Sequence, residues 1–549
     1  MEKRTILAIL LSAAVWVAWY AIFGPNQKPV KQPQTVAEKK IEKKSPAAED
    51  TLSRPAIPAA RIFVTGSRAG EKKISIKTDL FSAVLSTKGA SISEFTDLER
   101  NIKLTCEKGP FNTRGDFDFS IHFNESEFLD GNALNDSNWA YTREKDSVRF
   151  YTTIRYNGRP LRLEKKYIFN RDSHYFTLQY RLTNQGGRTL SFRSNPLILS
   201  PGDSLGPELD YENRYNMLSS IYYLNDDYEQ GRKGGGVFSK GGALKRETGT
   251  TNWVGIMSRY YLLIMKAQDF NGSGVVFDSR QNTGFRTGML LQVPEIAPRA
   301  SITRSFQVYI GEKNKDKLAS VDRILVDASD VSKWIEPIRY FVMWCLLGIN
   351  SLFGNLGWSL VIFSILTKVV FLPLTQKSTE SMKKMQELQP KMNELKAKFK
   401  DKPEELQKET MKLYKENKVN PMGGCLPLLL QMPFFFALYS ALINSVELWQ
   451  SPFIFWIKDL SMPDTIFTVS GFDMNILPLV MTASTFIQQK LTTSDVGQQQ
   501  KMMMYVMPLV LLFIFWNMPS GLVLYWALQN IFQILHQLII TRFSKKEAK

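Results

Sequence analysis

Near residue 335 the chain changes character: before it run about 300 largely polar residues, and after it come five apolar stretches separated by short loops. One compact fold cannot accommodate both parts. Apolar runs that approach the span of a bilayer need lipid around them, whereas a polar stretch of that length must build its own water-facing domain. The chain is therefore read as multi-domain, with a polytopic α-helical membrane bundle following a large soluble part. A formal net charge of +17 would suit a nucleic-acid binder, but lysine-rich cytoplasmic loops give a membrane protein the same balance, and no specific nucleic acid is expected. Of the cysteines Cys106, Cys345 and Cys425, one lies in the polar part, which excludes a disulfide framework there.

The amino end reads as an anchor. Lys3 and Arg4 precede an apolar run to residue 23 that is longer than a signal-peptide core and lacks a small-residue cleavage site, so residues 1–23 are expected to stay in the membrane with the amino end inside. Residues 24–60, rich in Lys, Glu, Pro and Ala, cannot bury a core and are expected to be a flexible tether. From 61 to 326 short alternating segments are punctuated by turn residues. Residues 175–183 alternate as a half-buried strand does, and Asn157-Gly158 between two such segments predicts a hairpin. Many strands without long helical patterns imply a large antiparallel β-sandwich. It holds two histidines, His122 and His174, and His174 beside a strand reads as a packing or surface residue rather than a base.

Residues 327–549 form the membrane part. Within 332–347, Trp334, Ile335, Ile338, Phe341, Val342 and Cys345 recur at helical spacing opposite Lys333, Glu336 and Arg339, which predicts an amphipathic helix in the outer interface. Spans are expected at 352–374, 424–445, 476–489, 503–516 and 522–540. The lysine-rich segment 376–420 marks the cytoplasmic side. There Met385, Leu388, Met392, Leu395 and Phe399 step by three and four, and Leu406, Thr410 and Leu413 follow a break at Pro403, predicting a helical hairpin. Its charge is either a solvated face or a docking surface. Lys490 and Lys501 flank an inside loop, and Arg542, Lys545, Lys546 and Lys549 end the chain inside. Both termini are thus expected in the cytoplasm and the large domain outside.

Lys368 interrupts the first of these spans. At ~1.5 Å rise per residue it lies roughly 15 Å from Trp358, deep in a ~30 Å hydrocarbon layer. Two readings are open: the ammonium snorkels to the cytoplasmic headgroups, or it faces a bundle interior or wet cavity.

Three motifs go further. The segment 420–439, Asn-Pro-Met-Gly-Gly-Cys-Leu-Pro-Leu-Leu-Leu-Gln-Met-Pro-Phe-Phe-Phe-Ala-Leu-Tyr, resembles the third-span signature of the YidC/Oxa/Alb membrane protein insertase family. Residues 520–530, Ser-Gly-Leu-Val-Leu-Tyr-Trp-Ala-Leu-Gln-Asn, resemble that family's last span, and Leu388-Gln389-Pro390 the start of its cytoplasmic hairpin. The resemblance runs from about residue 330 to the end, and the large preceding domain is similar to the form found in bacteria with two membranes. It implies a hydrophilic groove open to cytoplasm and lipid but closed to the outside, with Lys368 as its cation and Ser364 and Gln431 as polar lining. Met432, Phe434, Phe435, Tyr525 and Trp526 would form the face along which a client slides. Read singly, these five residues are ordinary interhelical packing, and Ser364 can bond its own helix backbone.

The family usually carries arginine where this chain has Lys368. Lysine keeps the charge but loses the planar fork that grips a carboxylate through two bonds. The implied partners are nascent integral membrane proteins, the lipid bilayer, the Sec translocon, and the ribosome and signal recognition particle pathway through the hairpin. The core shows no phosphate loop, metal-ligand cluster or nucleophile–base pair, so no cofactor and no enzyme chemistry are expected. One alternative is a polytopic transporter using Lys368 as a substrate counter-charge. Another makes the outer domain an enzyme acting on carbohydrate.

Overall fold

The computed structural model describes residues 62–64, 70–106, 115–125, 128, 133–192, 196–206, 218–231, 244–278, 286–329, 334–399, 402–417, 419, 426–469, 472–492 and 498–547. The expected anchor at 1–23 and tether at 24–60 lie outside the described residues.

Alternation decides the β domain. In the hairpin β1 (Ser147–Tyr156) and β2 (Arg159–Phe169), Tyr156 pairs with Arg159 across a two-residue turn. Asn157 and Gly158 take φ of 48° and 78° there, the left-handed pair that a tight hairpin demands and that Asn-Gly adopts most readily. β3 (Tyr175–Asn184) turns Phe176, Leu178, Tyr180 and Leu182 inward and its alternate residues outward. β4 (Leu244–Met257), β5 (Tyr261–Ala267) and β6 (Ser301–Glu312) complete the centre of a sheet that has 14 strands among the described residues and in which β1-β2-β3-β6-β5-β4 are successive neighbours, each pair antiparallel. A second sheet of four antiparallel strands spans 73–103. The two share one core, where Phe81 meets Phe169 at 6.2 Å between ring centroids. Each such buried ring contributes roughly 1.5–3 kcal/mol. The architecture is an antiparallel β-sandwich.

The carboxyl-terminal region is helical: α1 (Glu336–Phe353), α2 (Leu356–Val370), α3 (Leu372–Glu387), α4 (Gln389–Lys398), α5 (Pro403–Glu416), α6 (Leu426–Asn444), α7 (Leu477–Thr492), α8 (Gln498–Phe515) and α9 (Ser520–Glu547). α1 runs past the expected end at 347 because its terminator is Gly354, whose φ of 66° closes the last turn. Asn355 starts α2 at once, its side chain accepting from the Gly357 and Trp358 amides at 2.9 and 3.2 Å. The expected span 352–374 is accordingly divided. Its first residues finish α1, and Pro373, which lacks an amide hydrogen, sits at the start of α3, bent by 57° from α2. α4 and α5 touch where Thr410 Oγ1 lies 3.5 Å from Met392 Sδ.

Among the described residues, Ser520–Ile539 is long and apolar enough to cross a bilayer alone, and Leu356–Val370 with Leu372–Ser381 qualifies as a bent pair. The bundle has an inner core that includes Val342, Leu360, Phe363, Leu438, Leu442, Met481 and Val523. It also turns large apolar side chains outward, with Trp344 73% exposed, Leu352 80% and Phe513 81%. A water-soluble protein rarely exposes so many large apolar side chains; a lipid-facing one requires it.

Polar side chains join the two parts. Arg259, in the β4–β5 turn, donates to the carbonyls of Leu442, Ile443 and Ser461 at 3.2, 3.2 and 2.7 Å. Leu442 and Ile443 belong to the last turn of α6, whose carbonyls have no partner within the helix and carry its negative dipole end. Lys313 adds a 3.0 Å bond to Asn444 Oδ1, and Tyr260 stacks obliquely on Trp449 at 5.8 Å.

Candidate functional site

α2 is amphipathic in an unusual sense. Ile365, Leu366, Val369 and Val370 face outward, while Ser364, Thr367 and Lys368 face α9. The Lys368 ammonium donates to Gln533 Oε1 at 2.6 Å, so its charge is tied to a neighbouring helix within the bundle. One turn earlier on α9, Gln529 Nε2 donates to the Ser364 carbonyl at 3.0 Å and approaches Thr367 Oγ1 at 3.1 Å. On the other side of α9, Asn530 Nδ2 bonds Thr485 Oγ1 of α7 at 2.8 Å and Ser484 Oγ at 3.2 Å. A polar band therefore crosses the bundle from α2 through α9 to α7. An ammonium drawn in among helices loses hydration, and an amide oxygen fixed against it recovers part of that loss.

The other expected site residues fall into two settings. Gln431 is half-buried on α6 and donates to the Tyr525 hydroxyl at 3.0 Å, while Tyr525 itself is 1% exposed and packs on Phe363 at 6.4 Å. Ser364 is fully buried, and its hydroxyl donates to its own helix at Leu360 O, 2.7 Å away. Phe435 and Trp526 meet at 5.3 Å, and both touch Phe515 of α8, at 5.8 and 5.3 Å. Phe434 sits edge-on to Phe371 at 5.5 Å, next to the α2–α3 bend. Met432, Phe434, Phe435 and Trp526 are all half-buried, so each keeps some accessible apolar area.

Thr367, Gln529, Asn530 and Gln533 were not singled out from the sequence. For two of them a signal exists: Gln529, Gln533 and Gln537 recur every fourth residue of α9, which places them along one stripe.

Comparison with known proteins agrees along the whole chain. The family described as "60Kd inner membrane protein" matches residues 348–547, and the "YidC periplasmic domain" matches residues 73–345. A membrane protein insertase YidC from Leptospira interrogans is 31% identical over 100% of this chain and 99% of its own length. Another from Pelobacter propionicus is 32% identical over 99% of both. A crystal structure of an active YidC insertase covers 86% of this chain and 93% of its own, at 18% identity and a TM-score of 0.36, an overlap too low to inform the site. Bundle and sandwich, with these two family matches, define an inner-membrane helical protein with a β-rich periplasmic domain. The chain belongs to the YidC family of membrane protein insertases.

Proposed function

We propose that this chain inserts membrane proteins into the inner membrane, helps them fold, and does so at the polar band around Lys368. The observation that carries the reading is the Lys368–Gln533 bond at 2.6 Å, which holds a cation between helices of the bundle. A short polar or acidic client segment finds there a shortened low-dielectric barrier and an opposite charge, while its apolar segment passes into lipid over Met432, Phe434, Phe435 and Trp526. Tyr525 acts one layer deeper, holding Gln431 toward the band. Client hydrophobicity and the membrane potential supply the driving force.

In this proposal the bundle has five core spans after an amino-terminal anchor, with both termini cytoplasmic. The α4–α5 hairpin would then face the cytoplasm. Lys391, Lys396, Lys398, Lys408, Lys412 and Lys415 are exposed on it and suit docking to the ribosome and the signal recognition particle pathway. Clients are nascent integral membrane proteins, taken alone or from the Sec translocon, and no cofactor takes part.

Photocrosslinking tests the reading. A photoreactive residue at position 434 or 526 should capture a ribosome-stalled single-span client, and one at position 181, exposed on the β domain, should not. Capture at 181 alone would overturn the assignment of the site, and no capture together with solute exchange across sealed vesicles would favour the transporter.

A further inference from the structure

Beside the Arg259 junction, between the β domain, α1 and the end of α6, lies a cavity of about 260 Å³. That is just below the ~300–1,000 Å³ of most small-molecule pockets, room for one headgroup-sized ligand. Lys313, Lys315, Arg339, Tyr340, Trp344 and Leu347 are among its walls.

The charges there are not equivalent. Glu312 and Glu447 also line the cavity, but Arg100 already holds both, at 2.7 and 3.4 Å. Lys315 is bonded to Glu336 at 3.0 Å. Arg339 is different: among the described residues its guanidinium has only neutral neighbours, Ser445 Oγ at 3.3 Å and the Tyr340 ring with its centroid 5.0 Å away. Its Nε is buried and makes no hydrogen bond. A guanidinium with spare donors in a half-enclosed, aromatic-walled cavity has the geometry that binds a phosphate through a fork of N–H groups.

The source of that phosphate follows from the mouth. Tyr340, Trp344 and Leu347 are exposed on α1, and with Phe341 they continue the apolar surface of the bundle up to the cavity. Tryptophan and tyrosine above an apolar belt mark the headgroup layer of a bilayer. We infer that this cavity binds the phosphate headgroup of an anionic outer-leaflet phospholipid, with the phosphate on Arg339 and the acyl chains over Trp344 and Leu347. The lipid fastens the β domain, α1 and α6 to the membrane surface, at a site separate from the Lys368 band.

The test uses the full-length protein in mixed micelles with phosphatidylglycerol carrying a photoreactive acyl chain, followed by mapping of the labelled peptides. Label is expected on α1, and Arg339→Gln should lower it about tenfold, the loss expected when charge-assisted bonds to a phosphate vanish. Arg339→Lys should keep most of it. Excess short-chain phosphatidylglycerol should displace the label, whereas inorganic phosphate should not. Equal labelling of wild type and Arg339→Gln, or no label on α1, would overturn the site. Displacement by inorganic phosphate as effective as by lipid would overturn the lipid and leave a free-phosphate site. If Arg339→Gln does not fold, displacement from the wild type decides the question.

Discussion

Replacing Arg259 with alanine should uncouple the β domain from the bundle without harming either. Arg259 is 8% exposed, and its guanidinium makes three hydrogen bonds to carbonyls of the core, the shortest 2.7 Å. A hydrogen bond from a charged donor is worth about 1.5–3 kcal/mol net, and truncation also leaves the α6 carbonyls without their donor. These terms are not additive, so the expected loss at the junction is about 3 kcal/mol rather than the full sum. That corresponds to a roughly 100-fold rise in local opening. Hydrogen exchange read by mass spectrometry should show it as faster exchange at the end of α6 and in residues 445–462, with the β3 and β6 amides unchanged. Arg259→Lys should recover only part, since one ammonium cannot reach both the end of α6 and Ser461 as the guanidinium does. Unchanged protection in Arg259→Ala would refute the claim that this residue fastens the two parts.

Other outcomes follow from the same contacts. At Gly357 a Cβ would run into the Phe453 ring, so Gly357→Val should lower the thermal midpoint through overpacking of about 1–3 kcal/mol. A midpoint equal to wild type would mean that the ring moves freely. Gln533→Leu removes the acceptor of Lys368 and should cut client insertion about tenfold at unchanged protein level, the worth of one bond to a charged group; full activity would show that Gln533 is idle. Burial raises the Glu312 carboxyl, but bonds from Arg100 at 2.7 Å and Lys317 at 3.0 Å outweigh it and hold the group below its usual range. A depressed carboxyl stabilises above its unfolded value of ~4.3 and loses that contribution as pH falls through the folded value. The melting temperature should therefore drop below about pH 4 more steeply in wild type than in Glu312→Gln, and parallel curves would show that the pair adds nothing.

What the sequence disclosed depended on how local the cause was. Asn157-Gly158 announced its hairpin because the turn geometry is set by two residues. Lys368 was conspicuous because a charge in an apolar run has no bland company. Gln533 was not, since an uncharged amide barely disturbs such a run, and its meaning depends on a helix 165 residues away. Arg259 was invisible for a related reason: its acceptors are backbone carbonyls 183 and 184 residues on, and a carbonyl carries no sequence signature. The 57° bend after α2 coincides with Pro373, which was not read as a break, and the start of α2 depended on how Gly354 and Asn355 divide two helices.

The central claim is that a cation within the bundle carries insertion. It is tested most directly by inserting a short single-span client with an acidic outer tail into liposomes containing purified wild type, Lys368→Arg or Lys368→Ala. The account predicts insertion by the first two and failure by Lys368→Ala; equal insertion by all three would contradict it and return Lys368 to a residue that merely snorkels.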